Sequence, residues 1–134
     1  MAKEAGFAFT VSADDGAASL QVISNDVTNL QYATPRAVAD WTGVDKSAIE
    51  RGLLLADFSA TLNGIFNDAA NMSHAVFKTV PTTSTIRTLT LAISGQTLSC
   101  ETLATDYSST RGQDGNLQWT VPFVLANGTA PSWS

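Results

Sequence analysis

The chain contains the segment NLQWTVPFVL at residues 116–125, which has the clearest secondary-structure pattern of the sequence. Apolar and mostly polar residues alternate along it, and a period of two is typical of a β-strand with one buried face. Asp114-Gly115 before the segment and Asn127-Gly128 after it are turn signals. We therefore predict a central strand whose core-facing residues are Leu117, Trp119, Val121, Phe123 and Leu125.

Pro122 interrupts the hydrogen-bonding capacity of this strand, because proline has no N–H to donate to a ladder. Proline within a strand is typical of an edge position or a bulge. We therefore predict one of these two positions for this part of the strand.

The composition indicates a folded domain with a lightly charged surface. The 134 residues fit one domain spanning 1–134 with short N- and C-terminal arms. Charged residues make up 14% of the chain, against the ~25% that is usual in soluble domains. Such a surface is compatible with burial in an assembly and equally with a secreted β-domain.

The charge pattern disfavours several classes of protein. The net charge is −5 and the basic residues are scattered, whereas nucleic-acid binding needs clustered lysine and arginine. No apolar run approaches the ~20 residues that cross a bilayer, and residues 1–17 lack the apolar segment of a signal peptide. A lone Cys100 cannot form an internal disulfide. We expect cytoplasmic synthesis and no membrane contact.

The remaining pattern predicts about seven strands and one helix. Besides the central strand, alternation indicates a brief strand near Phe7 and Phe9 and strands listed here in chain order: 18–24 with Leu20 and Val22 on one face, 27–33, 54–66, 85–93 and 97–107. Residues 33–52 and 108–115 are predicted as loops, the first unusually long. This pattern is typical of a mainly β protein, a β-sandwich or partly open barrel.

One amphipathic helix is predicted at about residues 68–80, capped by Asn67-Asp68 and ended by Pro81. Its apolar face consists of Ala69, Met72, Val76, Phe77 and Val80, and its polar face of Asn71, His74 and Lys78. We expect this helix to flank the sheet.

Catalytic and metal-binding patterns are weak. His74, the single histidine, falls on the polar face of the predicted helix, and Cys100 is in phase with the buried side of a strand. Asp14-Asp15 precedes Gly16 as turn formers do, although these residues, Asp40 with Asp45, and Asp57 are also candidates for acid–base work. No cluster has metal-ligand spacing, so we expect no catalytic residue, metal or cofactor.

Several segments in order resemble the major tail protein of long-tailed phages, the tail tube subunit of siphophage-type viruses. The resemblance runs from about Asp26 to Trp133 and is carried by the following elements: DVTN at 26–29, WTG at 41–43 with Ser47, LADFS at 55–59, TLNGIFN at 61–67, a helix with His74 and Phe77, GNLQW at 115–119 through Phe123 to ANG at 126–128, then Pro131 and Trp133.

The resemblance implies a β-sandwich with one flanking helix that assembles as stacked, hexameric rings around a lumen through which DNA passes. It also implies that strands of neighbouring subunits join into one barrel, and that the 33–52 loop and the chain ends bridge successive rings. The implied partners are further copies of the chain and the tape measure, tail tip and tail terminator proteins. The implied location is the virion, after synthesis in the host cytoplasm.

Within this framework we assign hypothetical roles to eight residues. Asp57, Ser59, Thr61 and Asn63 are expected to face the lumen, and Trp41, Val44, Ile49 and Trp133 are expected to contact other subunits. Six copies at −5 each give 6 × −5 = −30 formal charges per ring, which suggests an acidic lumen that repels phosphates.

Two other functions stay open at the level of sequence. A monomeric binding module, for example for carbohydrate, would place Trp41 and Trp133 in one groove. A small hydrolase would pair His74 with a hydroxyl or a carboxylate in a cleft.

Overall fold

The computed structural model describes residues 8–134. Its first strands are β1 (Thr10–Asp14), β2 (Leu20–Val22), β3 (Val27–Ala33), β4 (Arg36–Asp40), β5 (Arg51–Ala56) and β6 (Ser59–Ile65). A helix, α1 (Ser73–Phe77), follows. The remaining strands are β7 (Arg87–Ile93), β8 (Gln96–Ala104), β9 (Ser108–Arg111), β10 (Leu117–Leu125) and β11 (Ser132–Trp133).

Nine of these strands form one antiparallel sheet that curls around a single core. The main path runs β2-β1-β7-β8-β10-β6-β3, with β11 paired to β8 and β9 paired to β10. Residues from both ends of this path, such as Val11, Ala13 and Leu62, belong to the same buried cluster as Trp119 and Phe123. The fold is therefore mainly β, as predicted, with the character of a partly open barrel.

The central strand was predicted correctly, but its position in the sheet was not. Trp119, Val121 and Phe123 are buried in β10. One side of β10 pairs with β6 along residues 118–124. The other side pairs first with β9 and then with β8, so β10 is an interior strand.

Pro122 lies at the point where the partner on this second side changes. β9 pairs up to Thr120 and β8 begins at Phe123. The carbonyl of Pro122 accepts a hydrogen bond from the Thr105 N–H at 3.0 Å, within the break between the two partner strands. The missing proline N–H therefore falls where no continuous strand needs it, which explains why an interior strand tolerates proline.

Several predicted boundaries change in the structure. The predicted strand 54–66 is divided into β5 and β6, and the predicted loop 108–115 contains β9. Leu20 and Val22 do not face the core, because they are 52% and 61% exposed and Ile23 is the buried residue. Phe7 lies outside the described residues.

The predicted loop 33–52 is largely a β-hairpin. β4 and β5 pair with each other in a separate two-stranded sheet and, within residues 8–134, with no other strand. We call residues 36–56 the hairpin arm. The hydrogen bond from the Asp57 N–H to the Pro35 carbonyl, at 3.0 Å, closes the base of the arm between its two connections to the main sheet.

The helix is much shorter than the predicted 68–80. It covers five residues, with Val76 and Phe77 buried, while Ala69 is exposed. The Asn67-Asp68 cap was wrong, because the buried carboxylate of Asp26 accepts the Ser73 N–H at 3.0 Å and the Asn67 side-chain amide at 3.0 Å. A carboxylate at this end of the helix satisfies a free N–H and agrees with the helix dipole.

The buried guanidinium of Arg87 holds the other end of the helix against the sheet. Its Nη1 donates to the carbonyls of Val76 at 2.7 Å and Asp14 at 2.8 Å, and its Nη2 donates to Thr79 Oγ1 at 3.0 Å. Burial lowers the pKa of Arg87, and the charges of Asp15 and Asp14 oppose this effect. One side chain thus connects β1, β7 and α1.

Replacing this guanidinium tests its structural role. We expect Arg87→Met to lower the free energy of unfolding of the unassembled protein by about 3 kcal/mol, because two buried carbonyls lose their donors. Urea denaturation followed by tryptophan fluorescence measures the effect. Arg111→Met changes an exposed arginine and should stay within about 0.5 kcal/mol of the original; equal effects of both substitutions would contradict this role.

Candidate assembly interface

One layer of the barrel ends in two open strand edges. In the order β9-β10-β6-β3, the strands β9 and β3 each have a partner on one side within the described residues. Open edges present unpaired N–H and C=O groups and readily pair with another chain. These two edges are therefore candidate contact surfaces.

The direction of the backbone groups on β9 follows from the ladder. The backbone carbonyl of Pro122 in β10 points to the side of β10 on which β8 and β9 lie. Every second residue of a strand directs its backbone N–H and C=O groups to the same side. Gln118 and Thr120 consequently bond to Thr110 and Ser108 of β9. The N–H and C=O groups of Ser109 and Arg111 then point away from β10, to the open edge.

The same reasoning applies to β3. Thr61 lies opposite Pro122 on β6, so its backbone groups point to Gln31 of β3. Leu30 and Tyr32 therefore direct their backbone groups to the open edge, where the Asn29 side chain already accepts the Leu30 N–H at 2.9 Å. The Tyr32 N–H and the carbonyls of Leu30 and Tyr32 therefore point to the open edge.

A groove of about 420 Å³ runs beside the β3 edge. Phe9, directly before β1, and Val11 of β1 line it on one side, and Leu30 and Tyr32 line it from β3. The groove marks the side on which the barrel does not close, so apolar side chains accompany the open backbone edge.

The hairpin arm carries a large exposed apolar surface. It holds seven of the fifteen exposed large hydrophobic side chains of the described chain: Val38, Trp41, Val44, Ile49, Leu53, Leu54 and Leu55. Concentrated apolar exposure of this kind marks an interaction site. The predicted contacts did not include the run of three leucines at residues 53–55, although this run is a sequence signal for such a surface.

Hydrogen bonds give the arm a defined shape. Trp41 donates its backbone N–H to the Glu50 carbonyl at 2.9 Å, and Thr42 Oγ1 contacts Asp40 Oδ1 at 2.6 Å. The hydroxyl and backbone N–H of Thr42 lower the pKa of Asp40. The indole of Trp41 covers Gly52 so closely that a Cβ there would collide with the ring.

The residues predicted to contact other subunits are all exposed. Trp41, Val44 and Ile49 lie on the arm with exposed fractions of 60%, 109% and 61%. Trp133 lies elsewhere, in β11 beside β8, 45% exposed, with its ring 6.1 Å from the ring of Tyr32. Their contact with a second subunit stays a prediction.

The residues predicted to face a lumen lie on one face of a strand, with one exception. Ser59, Thr61 and Asn63 are on the face of β6 opposite the buried Ala60 and Leu62. Asp57 precedes β6, and its carboxylate accepts the Phe58 N–H at 2.8 Å. The lumen position of all four stays a prediction.

This face extends over four strands, and we call its outward positions the wall face. On β3 and β6 they are Asn29, Gln31, Ala33, Ser59, Thr61, Asn63 and Ile65. On β9 and β10 they are Ser108, Thr110, Gln118, Thr120, Pro122 and Val124. Nine of the thirteen carry an amide or a hydroxyl, four are apolar and none is charged.

The candidate base His74 and the candidate nucleophile Cys100 are both at least half-buried and pack against other side chains. His74 is half-buried rather than exposed, with Nδ1 3.0 Å from the Tyr107 hydroxyl and its ring 4.7 Å from that of Phe66. Burial raises the pKa of Tyr107. Burial, with a smaller contribution from Glu101, raises the pKa of the Cys100 thiol to about 11.

The acidic candidates are dispersed. Asp14 accepts the Thr88 N–H at 3.0 Å, and Asp15 accepts the Ser19 and Ala17 N–H groups, which lower its pKa. In residues 8–134, no cluster of three histidine, cysteine or acidic residues could hold a metal ion. No helix in the same residues is long and apolar enough to span a membrane.

Comparisons with known proteins agree with this architecture. No protein-family model matches the chain, and no curated protein sequence matches it. A chain in the tail of an empty gene transfer agent particle, refined helically with C6 symmetry, matches with a TM-score of 0.76 at 16% identity, covering 98% of this chain and 99% of that chain. The chain has the fold of a gene transfer agent tail chain.

A second solved structure has the same fold. It is a chain in the virion of a native gene transfer agent particle, with a TM-score of 0.77 at 14% identity, covering 98% of this chain and 99% of that chain. The gene transfer agent fold thus extends over nearly the whole chain and agrees with the resemblance to phage major tail proteins.

The surroundings of Cys100 lead to a measurable prediction. The folded protein holds the thiol proton up to about pH 11, whereas the ordinary pKa is 9.0. The stabilisation from this group is therefore complete below about pH 9 and is lost as pH rises toward 11. We expect Cys100 to react with dithionitrobenzoate at pH 8 only after unfolding in urea, and Cys100→Ala to reduce the loss of stability between pH 9 and 11; rapid reaction of the folded protein would contradict this.

Proposed function

We propose that the chain is a structural virion protein that assembles into stacked, sixfold rings, and that these rings form a hollow tail tube through which DNA passes. The observation that carries the proposal is the pair of open edges at opposite ends of one four-stranded layer. The C6 symmetry of the gene transfer agent tail supports six copies per ring.

The directions of the strands permit head-to-tail joining. β3, β6, β10 and β9 alternate in direction, so β9 of one copy is antiparallel to β3 of the next. Four strands per copy is an even number, and the antiparallel alternation continues across each junction. Head-to-tail contacts between identical subunits close into rings when the rotation permits, and closure removes the exposed edges.

The hairpin arm is suited to a second kind of contact, between rings. It extends from the main sheet, and its apolar side chains have no covering partner strand in the described chain. Burying such side chains contributes about 25 cal/mol per Å² of apolar surface. We propose that the arm packs against a subunit of the adjacent ring, while the tape measure, tail tip and tail terminator proteins are partners inferred from resemblance alone.

The location of the tryptophans favours this role over a monomeric carbohydrate-binding module. Such a module would place Trp41 and Trp133 in one groove. Trp41 instead covers Gly52 in the arm, and Trp133 contacts Tyr32 on the main sheet. The half-buried contact of His74 with Tyr107 likewise gives the histidine a structural role.

Blocking one edge tests the ring contact. We expect Ser109→Pro to prevent ring and tube formation, because it removes an outward N–H from the open edge of β9. The effect on the subunit itself should be small, since Ser109 is exposed and edge strands tolerate proline. Negative-stain microscopy and size-exclusion chromatography at increasing concentration measure assembly.

Ser109→Ala is the matched control, because it removes the same hydroxyl and keeps the N–H. It should assemble like the original protein. Circular dichroism verifies that both variants are folded. Normal tubes from a folded Ser109→Pro variant would exclude β9 as the joining edge, and a wild-type protein that stays monomeric at millimolar concentration, without tubes, would contradict the proposed function.

A substitution on the arm tests the contact between rings separately. Val44→Asp places a charge on a fully exposed apolar residue of the arm. We expect isolated rings with at least tenfold fewer tubes in micrographs, because burying an unpaired carboxylate is costly. Val44→Leu keeps the apolar character and should form tubes; equal tube yields from the two variants would exclude Val44 from the contact.

A further inference from the structure

We infer that the channel of the assembled tube has an uncharged wall of amides and hydroxyls, which contacts DNA without attracting or repelling its phosphates. The inference rests on the proposed function, because it requires that the wall face lines the lumen. It differs from the acidic lumen that the net charge suggested.

The composition of the wall face is the first argument. Charged side chains make up 14% of this chain, so thirteen positions of average composition would hold about two. The wall face holds none, although nine of its residues are polar. The face is therefore hydrophilic through neutral groups only.

The distribution of charge over the rest of the chain is the second argument. The hairpin arm alone carries Arg36, Asp40, Asp45, Lys46, Glu50 and Arg51. Asp14 and Asp26 are buried and accept backbone N–H groups. The three acidic and three basic residues of the arm cancel, so the acidic excess comes from other positions outside the wall face, with Asp57 and Asp106 at its borders.

Hydrogen bonds within the wall face support the same conclusion. Thr120 donates to Asn63 Oδ1 at 2.7 Å, and Thr28 donates to the Asn63 carbonyl at 3.3 Å. These bonds hold part of the polar surface in place. Within residues 8–134, the side chains of Gln31, Thr61 and Gln118 form no hydrogen bond, and they can exchange hydrogen bonds between water and phosphate oxygens.

The physical consequence concerns the passage of DNA. Lysine or arginine on the wall would bind phosphates by releasing counterions, and such binding is strong and depends on salt. Carboxylates would repel the same phosphates over a Debye length of about 10 Å at 0.1 M salt. Neutral donors and acceptors replace water contacts one for one, so DNA slides with little dependence on salt.

The first experiment locates the wall face with a single introduced thiol. The buried Cys100 gives a low background, so Thr61→Cys and Ser99→Cys each add one reactive position. Ser99 is exposed on the opposite layer, in β8. Assembled tubes are treated with biotin-maleimide and then with streptavidin, which is too large for a narrow channel, and are viewed by electron microscopy.

We expect streptavidin to decorate Ser99→Cys tubes along their length and Thr61→Cys tubes only after disassembly. Equal decoration of both would place the wall face outside and overturn the inference while leaving tube assembly intact. Absence of tubes from the wild-type protein would instead refute the proposed function. If Thr61→Cys alone fails to assemble, Gln118→Cys on β10 replaces it.

The second experiment measures the electrostatic potential at the wall. Thr61→Cys tubes react at low salt with a cationic and an anionic methanethiosulfonate of similar size, and the ratio of the two rates is compared with that of free cysteine. A neutral wall should give a ratio within about threefold of the free thiol. A cationic preference above about tenfold would show an acidic lumen and overturn the inference.

A charged variant verifies that the measurement is sensitive. Gln31 lies directly opposite Thr61 in the β3–β6 ladder. Adding Gln31→Glu to Thr61→Cys should raise the cationic preference by about tenfold, whereas Gln31→Asn should leave it unchanged. A ratio that already favours the cation in Thr61→Cys and does not respond to Gln31→Glu would mean that other charges dominate the wall, which also contradicts the inference.

Discussion

The divided pairing of β10 is the constraint on which the architecture depends. One side of this strand is paired to β6 over seven positions, and its other side is shared between β9 and β8, with the change of partner at Pro122. β8 continues the sheet through β7 and β1, whereas β9 ends it. The division therefore curls one part of the sheet around the core and leaves a four-stranded layer with two open edges.

Two buried charged side chains attach the helix to this curled sheet. Asp26 accepts the N–H of Ser73 at one end of the helix, and Arg87 donates to the carbonyl of Val76 near the other. Phe77 then packs with its ring 5.3 Å from that of Trp119 and 6.0 Å from that of Phe123. A five-residue helix is unstable alone, so these contacts and not helical propensity maintain it.

The open edges, the apolar arm and the neutral wall face are consistent with one another in an assembly. Each would be a disadvantage in a monomer: the edges and the arm promote aggregation, and a face without charge adds no electrostatic repulsion between copies. In a closed ring the edges pair, and in a stack of rings the arm is covered. The surfaces left exposed in such an assembly would be the face without charge and the charged turns.

The sequence by itself determined much of the core, although not that Ile23 is buried in place of Leu20 and Val22, or that Ala69 is exposed. Alternation correctly predicted the buried Trp119, Val121 and Phe123 of β10, the strands β7 and β8 and the burial of Cys100, because burial follows local periodicity. It also predicted that Trp41, Val44 and Ile49 lie outside the core, although not that their loop is a hairpin. Tertiary structure alone decided that β10 is interior, that β9 exists, that His74 meets Tyr107 and that α1 has five residues. The physical reason is that strand partners and helix ends are determined by hydrogen bonds between residues distant in the chain. Examples are the bonds from Thr105 to Pro122 and from Ser73 to Asp26. The local sequence pattern does not contain this information.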